Sequence, residues 1–332
     1  MAGEPRLRTR LTERLGLAHP IVSAPMALAA GGALAAAVTA AGGLGLIGGG
    51  YGDAAWLEQQ FAAAGNQAVG CGFITWSLAT RPHLLDLALA HKPRALMLSF
   101  GDPAPFAGKI RAAGTLLICQ VQTLALARAA LAAGADIVVA QGSEAGGHGA
   151  KRATMTLVPE VADLIAAERP DTLLLAAGGI ADGRGLAAAL MLGADGVLVG
   201  SRFWASREAL VARQHHVAAL AATGDQTVRQ TATDHARKLN WPPEFTARVL
   251  QNDFTRRFAG REETLQAELA AYADAYTAAF VAGDPDKAGV WVGEATGLIH
   301  DVPGAGEIVQ RMVAEAVDVI GRAGRLPGTA RF

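Results

Sequence analysis

The residue in this chain best suited to moving a proton is a histidine set among glycines, His148 in QGSEAGGHGA (141 to 150). An imidazole exchanges a proton near neutral pH, and the flanking Gly146 and Gly147 leave room for a flat ring system or a substrate to approach it. Two further stretches could bind an anion. In AAGGIADGRG (176 to 185) a run of strand type ends in Gly178-Gly179, and without Cβ atoms there the backbone N–H groups can come close to a phosphate. In VGSRF (199 to 203) Gly200 does the same and Ser201 adds a hydroxyl at a helix start. Glycines at such corners also serve simply to make the turn. Two of them on neighbouring strands, both ahead of a helix, are what a phosphate site requires.

Other reactive side chains fit known chemistries less well. His215 and His216 have no carboxylate or cysteine at ligand spacing, so no metal site is expected. Asp234 and His235 are adjacent and would point to different sides of a helix. His83, His91 and His300 read as surface residues. No G-x-S-x-G elbow is present, which leaves a Ser-His-Asp hydrolase without its nucleophile. The glycines of GLGLIGGG (43 to 50 with its flanks) run on into YGD instead of opening a helix on the dinucleotide-binding frame.

The elements that must position these residues alternate regularly. Runs of strand type occupy 20 to 26, 44 to 50, 68 to 74, 95 to 100, 116 to 121, 136 to 142, 172 to 179 and 196 to 202. Between them lie helical stretches near 34 to 41, 54 to 64, 82 to 91, 105 to 113, 123 to 133, 156 to 168 and 183 to 192, often entered through Asp or Thr. The strands are continuous apolar runs, as strands buried on both faces are. Eight βα units predict an α/β fold closed as a TIM (β/α)₈ barrel, with the active site at the C-terminal ends of the strands. Residues 205 to 290 carry much of the chain's charge and show helical periodicity without further strands, which predicts a mainly helical insertion or cap after the eighth strand. The apolar stripe of 305 to 323 reads as the last outer helix. The barrel would then comprise 1 to 204 and 291 to 332.

Composition agrees with a large buried core: 51% of residues are apolar, and Gly and Ala permit close helix-on-strand packing. A net charge of −1, with no basic patch interleaved with aromatics, excludes nucleic acid as a partner. Residues 31 to 50 are uncharged but mostly Gly and Ala, so no membrane span is expected. With no apolar run of signal-peptide type ahead of Pro20, and with Cys71 and Cys119 both inside apolar runs, the natural compartment is the cytoplasm.

With these stretches in view, the chain resembles the nitronate monooxygenase family, formerly called 2-nitropropane dioxygenases. The matching runs are PIVSAPM, AAGGLGLIGGG, GCGFITW, AQGSEAGGHGA, AAGGIADGRG, GADGVLVGSRF and GVWVGEATGLI (289 to 299). The resemblance implies FMN bound without a metal. Pro25 and Met26 would lie under its isoalloxazine, with Gly72 and Phe73 along it. Gln120, Gln141, Gly146 and Gly147 would meet its ring or ribityl chain, and Gly178, Gly179, Gly200 and Ser201 would take its phosphate. His148 matches the family's catalytic histidine, the base toward a nitroalkane or the group that polarises a nitronate. Substrate and O₂ would yield a carbonyl compound and nitrite. The insertion would shield the flavin or make the contact of a homodimer. The chain departs from the family pattern at Gly149-Ala150, where Arg-Gly is frequent, at Ser201 for Thr, at Glu294 for Gln, and at Gly72 for an Asn of some members.

Related activities share parts of this pattern. Flavin-dependent enoyl-acyl-carrier-protein reductases have EAGGH, AAGGIADG and a stretch like Thr154 to Val158, and an NAD(P)H:quinone reductase would use the same scaffold. A non-catalytic barrel that binds a flavin or another phosphorylated ligand could keep every glycine named.

Overall fold

A computed structural model describes residues 6–323 of the chain. Eight parallel strands form one sheet: β1 (Ile21–Ser23), β2 (Leu46–Gly48), β3 (Gly70–Ile74), β4 (Ala95–Ser99), β5 (Leu116–Val121), β6 (Ile137–Gln141), β8 (Leu173–Ala177) and β9 (Gly196–Val199). A short β7 (Gly147–Gly149) lies in the loop after β6, outside the barrel. The sheet runs β1-β9-β8-β6-β5-β4-β3-β2, and a parallel bridge from Val22 to Leu44 joins its two ends, so the sheet closes into the expected barrel. Strands are shorter than the apolar runs that announce them. Pro25, for example, lacks the N–H that would carry the β1 ladder further.

Alternation along each strand divides the core in two. Val22, Leu46, Met97, Ile118, Val139, Leu175 and Leu198 point inward and fill the barrel. Their neighbours Ile21, Ile47, Phe73, Leu98, Cys119, Val138 and Val197 point outward against the helices. The inner cluster also holds Leu11 and Leu15 of the helix Arg10–Leu15, which closes the N-terminal end of the barrel. Chemistry is thereby confined to the other end.

The outer helices begin where their caps place them. Asp53, Thr123 and Asp182 each accept a hydrogen bond from the N–H three residues on, opening the helices Ala54–Ala64, Leu124–Ala133 and Gly183–Met191. The helix Ala305–Ala323 packs against Gly183–Met191 and completes the ring. Contact there is so close that a Cβ on Gly183 would lie 2.4 Å from the backbone nitrogen of Ala316. Residues 1 to 5 and 324 to 332 of the two barrel segments lie outside the described residues.

The segment between Trp204 and Val290 differs from expectation. It holds the helices Arg213–Leu220, Ala232–Ala236, Asp253–Phe258 and Gln266–Ala282, but also two strands, β10 (Thr227–Gln230) and β11 (Thr246–Leu250). These pair antiparallel with each other, and β11 pairs antiparallel with β7, with His148 opposite Ala247. The absence of further strands expected from the charge and periodicity of this segment is therefore corrected. TVRQ and TARVL are too short for their alternation to stand out among charged helical neighbours. Phe254, Phe258, Leu269 and Tyr276 give the segment a small core of its own. Among the described residues no helix is long and apolar enough to cross a membrane.

Candidate active site

At the C-terminal end of the barrel, loops and cover enclose a cavity of about 510 Å³. All thirteen residues singled out in the sequence line it. Pro25 and Met26 follow β1, Gly72 and Phe73 lie in the second half of β3, and Gln120 and Gln141 project from β5 and β6. Gly146, Gly147 and His148 lie in the loop after β6, Gly178 and Gly179 follow β8, and Gly200 and Ser201 follow β9. Phe73 offers mainly backbone, because its side chain belongs to the outward layer; a Cβ on Gly49 would meet its ring at 2.7 Å.

One side of the cavity is lined by unengaged donors. The N–H groups of Gly179, Gly200 and Ser201 make no hydrogen bond among the described residues, whereas the pairing of Ala177 with Leu198 turns the Gly178 N–H toward β9. Gly178 and Gly179 adopt φ of +100° and +75°, a region in which other residues are strained. At Gly200 the reason for glycine is different. Its φ is ordinary, and a Cβ would meet nothing nearer than Ala24 at 3.8 Å and Met26 Sδ at 3.9 Å. Protein packing leaves that place free. The Ser201 hydroxyl instead accepts the Gly293 N–H at 2.9 Å, fastening the returning segment to the barrel mouth.

On another side stands His148. Its Nε2 lies 2.9 and 3.0 Å from the two carboxylate oxygens of Asp234, and both side chains are buried. A carboxylate accepts, so the proton resides on Nε2 and Nδ1 keeps a lone pair. Nδ1 makes no hydrogen bond among the described residues. Trp241 stacks flat on the imidazole, with ring centroids 3.4 Å apart and planes 6° apart, and Trp291 lies 5.7 Å away. Burial holds the His148 pKa below its ordinary 6.5, against the opposing pull of Asp234. A neutral imidazole at pH 7, oriented by a carboxylate, is equipped to accept a proton.

The loop that carries His148 is held rigidly. Gln141 donates to the His148 carbonyl and accepts from Gln120 and Gln122 at 3.1 and 2.9 Å. Arg229 binds the carbonyls of Ser143, Ala145 and Gly149, and Arg248 binds that of Ser143. A side chain on Gly149 would meet Arg229 Nη2 at 2.9 Å, so a guanidinium from β10 already fills the place beside it. Burial lowers the pKa of Arg229 to about 10, which still leaves it charged at neutral pH. Glu294 pairs with Arg248 at 2.7 Å, and Glu144 accepts from both the N–H and the hydroxyl of Thr154. Glu294 is thus ion-paired, while Glu144 lines the cavity with its carboxylate held by Thr154.

Several site residues were not singled out in the sequence. Asp234 is buried and His235 exposed, so the pair does face two ways, and the buried member is the partner of His148. Trp241, Trp291, Tyr51 and Arg237 also line the cavity. WPPE offered the only local signal, a large aromatic before two prolines in a polar stretch. His215 lies in the cavity wall, and among the described residues no cluster of His, Cys, Asp and Glu could hold a metal.

Known proteins resemble this chain over most of its length. A family model described as nitronate monooxygenase matches residues 74–315. The nitronate monooxygenase of Neurospora crassa is 32% identical across 90% of this chain and 89% of that protein. FabK from Thermotoga maritima superposes with a TM-score of 0.82 at 30% identity, covering 96% of this chain and 99% of that one. A nitroalkane oxidase from Streptomyces ansochromogenes does so with a TM-score of 0.77 at 27% identity, over 95% of this chain and 100% of that one.

Proposed function

Because the chain belongs to the nitronate monooxygenase family and is an oxidoreductase, we propose that it oxidises alkyl nitronates, and nitroalkanes after deprotonation, with O₂ at an FMN in the barrel mouth, releasing a carbonyl compound and nitrite. The observation that carries this reading is the buried His148–Asp234 pair at a cavity that is also lined by the unengaged N–H donors of Gly179, Gly200 and Ser201.

FMN fits what the cavity offers. Gly178, Gly179, Gly200 and Ser201 would receive its phosphate, since converging N–H groups without side chains favour an anion. Gln120, Gln141, Gly146 and Gly147 would contact the ring or ribityl chain, with Pro25, Met26, Gly72 and Phe73 along the ring. When bound, the flavin supplies the redox chemistry, taking electrons from the substrate and passing them to O₂. The protein's part is proton handling and placement. His148 accepts the proton α to a nitro group through Nδ1, and Asp234 stabilises the imidazolium that forms. For a substrate that arrives as a nitronate, no proton need be removed; the bound anion instead favours uptake of a solvent proton at Nδ1 of the otherwise neutral His148, and the imidazolium so formed holds it in place. The aromatic wall of Trp241 and Trp291 excludes water from that step.

The segment 205 to 290 then serves as a cap that also completes the site, since β11 pairs with the His148 strand and the helix Ala232–Ala236 brings Asp234. Cys71 and Cys119 are buried free thiols whose pKa values burial pushes up to about 12, which suits a reducing cytoplasm and no part in the reaction. The test is O₂ uptake and nitrite release by FMN-loaded protein supplied with ethyl nitronate, beside a control with NADH alone. Nitronate-dependent uptake without NADH oxidation supports the reading. NADH oxidation stimulated by a quinone or an enoyl thioester, with no nitronate turnover, replaces it with a reductase.

A further inference from the structure

The glycine run after β2 opens no helix; what it delivers to the barrel mouth is Tyr51. The Tyr51 carbonyl accepts from Ser77 Oγ at 3.0 Å and from Arg81, which fixes the backbone, and the half-buried side chain lines the cavity. A phenol has one proton to give and lone pairs with which to receive. At Tyr51 the receiving side is occupied. Its oxygen accepts the Trp241 Nε1–H at 3.0 Å and a hydrogen bond from the Arg237 guanidinium. Neither partner can accept in return, because an indole N–H and a guanidinium only donate. Asp234 lies nearby, but its hydrogen bonds go to His148. Among the described residues no acceptor takes the Tyr51 proton.

That proton is both retained and well suited to be donated. Burial raises the Tyr51 pKa above its ordinary 10.0, so the phenol is intact at neutral pH. Two donors into its oxygen polarise the O–H and strengthen it as a donor. Trp241 links this group to the base: one edge of the indole bonds Tyr51, and its face stacks on His148 at 3.4 Å. Two groups that share one indole and line one cavity can meet one small substrate, His148 at carbon and Tyr51 at an oxygen. Removing a proton α to a nitro group calls for both. The C–H bond breaks toward Nδ1, its electron pair forms the C=N bond, and the negative charge appears on the nitro oxygens. A donor to that oxygen stabilises the charge as it develops, more than it stabilises the neutral substrate.

We infer that Tyr51 is a further catalytic residue, whose O–H donates to an oxygen of the substrate's nitro or nitronate group while His148 faces the α carbon. The phenol keeps its proton throughout. This rests on the nitronate reading for its kinetic test but not for its binding test. Tyr51→Phe keeps the ring and loses the O–H. In the FMN-loaded variant, kcat/KM for nitroethane should fall roughly 10- to 100-fold, through kcat, the range for one hydrogen bond to a charged oxygen. For ethyl nitronate, charged before it binds, the loss should fall on KM. The acid limb of the pH profile should stay where the wild type has it. Unchanged kinetics with both substrates overturn the inference. An acid limb that moves up, as expected for Trp241→Leu, also overturns it, since Tyr51 would then act only by holding Trp241 in place.

The binding test uses propionate, a planar two-oxygen anion of the size of ethyl nitronate that is not oxidised, titrated against the flavin absorbance. Its affinity should weaken at least about fivefold in Tyr51→Phe. If the wild type turns over neither nitroethane nor ethyl nitronate, the nitronate reading has failed and Tyr51 is judged by propionate alone. Weaker binding in the variant upholds the oxygen-directed donor. Equal binding in both proteins, or none in the wild type, overturns it.

Discussion

Asp234 lies 86 residues after His148, yet its carboxylate sits 2.9 Å from the imidazole Nε2, and both groups are buried. The pair is made by topology: β11 docks beside β7, and the short helix Ala232–Ala236 delivers the acid over the barrel mouth. Asp234→Asn keeps the shape but loses the charge that stabilises an imidazolium. Steady-state kcat/KM for a neutral nitroalkane should drop on the order of 10²-fold, with the flavin still bound.

The two neighbours of His148 should move its titration in opposite directions. Desolvation holds the pKa below 6.5 and Asp234 pulls it up. Activity that needs the neutral base is therefore present above the folded pKa and lost as pH falls through it, with a midpoint below 6.5. The acid limb of kcat/KM for nitroethane should move lower still in Asp234→Asn. In Trp241→Leu, which removes the stacked ring and admits water, it should move up. Identical limbs in all three proteins would show that a different group titrates.

The same depressed pKa links to stability. An unfolded histidine binds its proton at about 6.5, before the native one does, so the stability His148 contributes is present above that pH and is lost as pH falls toward the folded pKa. Thermal melts of wild type and His148→Asn between pH 7.5 and 5 should show the wild type losing stability more steeply.

Gly200 separates cofactor binding from folding. A Cβ there would meet nothing nearer than Ala24 at 3.8 Å and φ is negative, so Gly200→Ala should fold with a melting temperature near that of the wild type. The added side chain would occupy the place proposed for the phosphate. FMN affinity should weaken by roughly 10- to 100-fold, the loss of one or two charge-assisted bonds, while riboflavin affinity changes little. Equal weakening of both ligands would place the phosphate elsewhere.

Packing of the last helix offers a test of the fold itself. At Gly183 an added methyl would press on the backbone of Ala316 at 2.4 Å. Gly183→Ala should cost about 1 to 3 kcal/mol by overpacking, read as a lower denaturation midpoint, and leave the pH profile of the remaining activity unchanged.

Much of this was legible in the chain because it is local. Apolar runs and capped helices place every barrel strand and outer helix to within a few residues, and the glycines that follow β8 and β9 are visible in the chain where the cavity is lined by backbone donors. His148 was visible as a titratable side chain in a Gly-rich corner. The partners of His148 were not, because nothing near Asp234, Arg237 or Trp241 tells which distant loop they will cover. Their places depend on an antiparallel ribbon between β7 and β11, whose strands of three and five residues are too brief to announce themselves. A buried acid beside an exposed histidine reads in sequence as an ordinary polar pair.

The most direct measurement is O₂ consumption by FMN-loaded wild type and His148→Asn, each supplied with ethyl nitronate and with nitroethane, with nitrite assayed in the same samples. The wild type should consume O₂ and release nitrite with the nitronate. His148→Asn, with its flavin spectrum intact, should lose at least about tenfold in kcat/KM with the nitronate and 10²- to 10⁴-fold of any turnover of nitroethane. An unchanged rate with ethyl nitronate in His148→Asn, or no nitronate-dependent O₂ uptake in the wild type, would contradict the role assigned to this site.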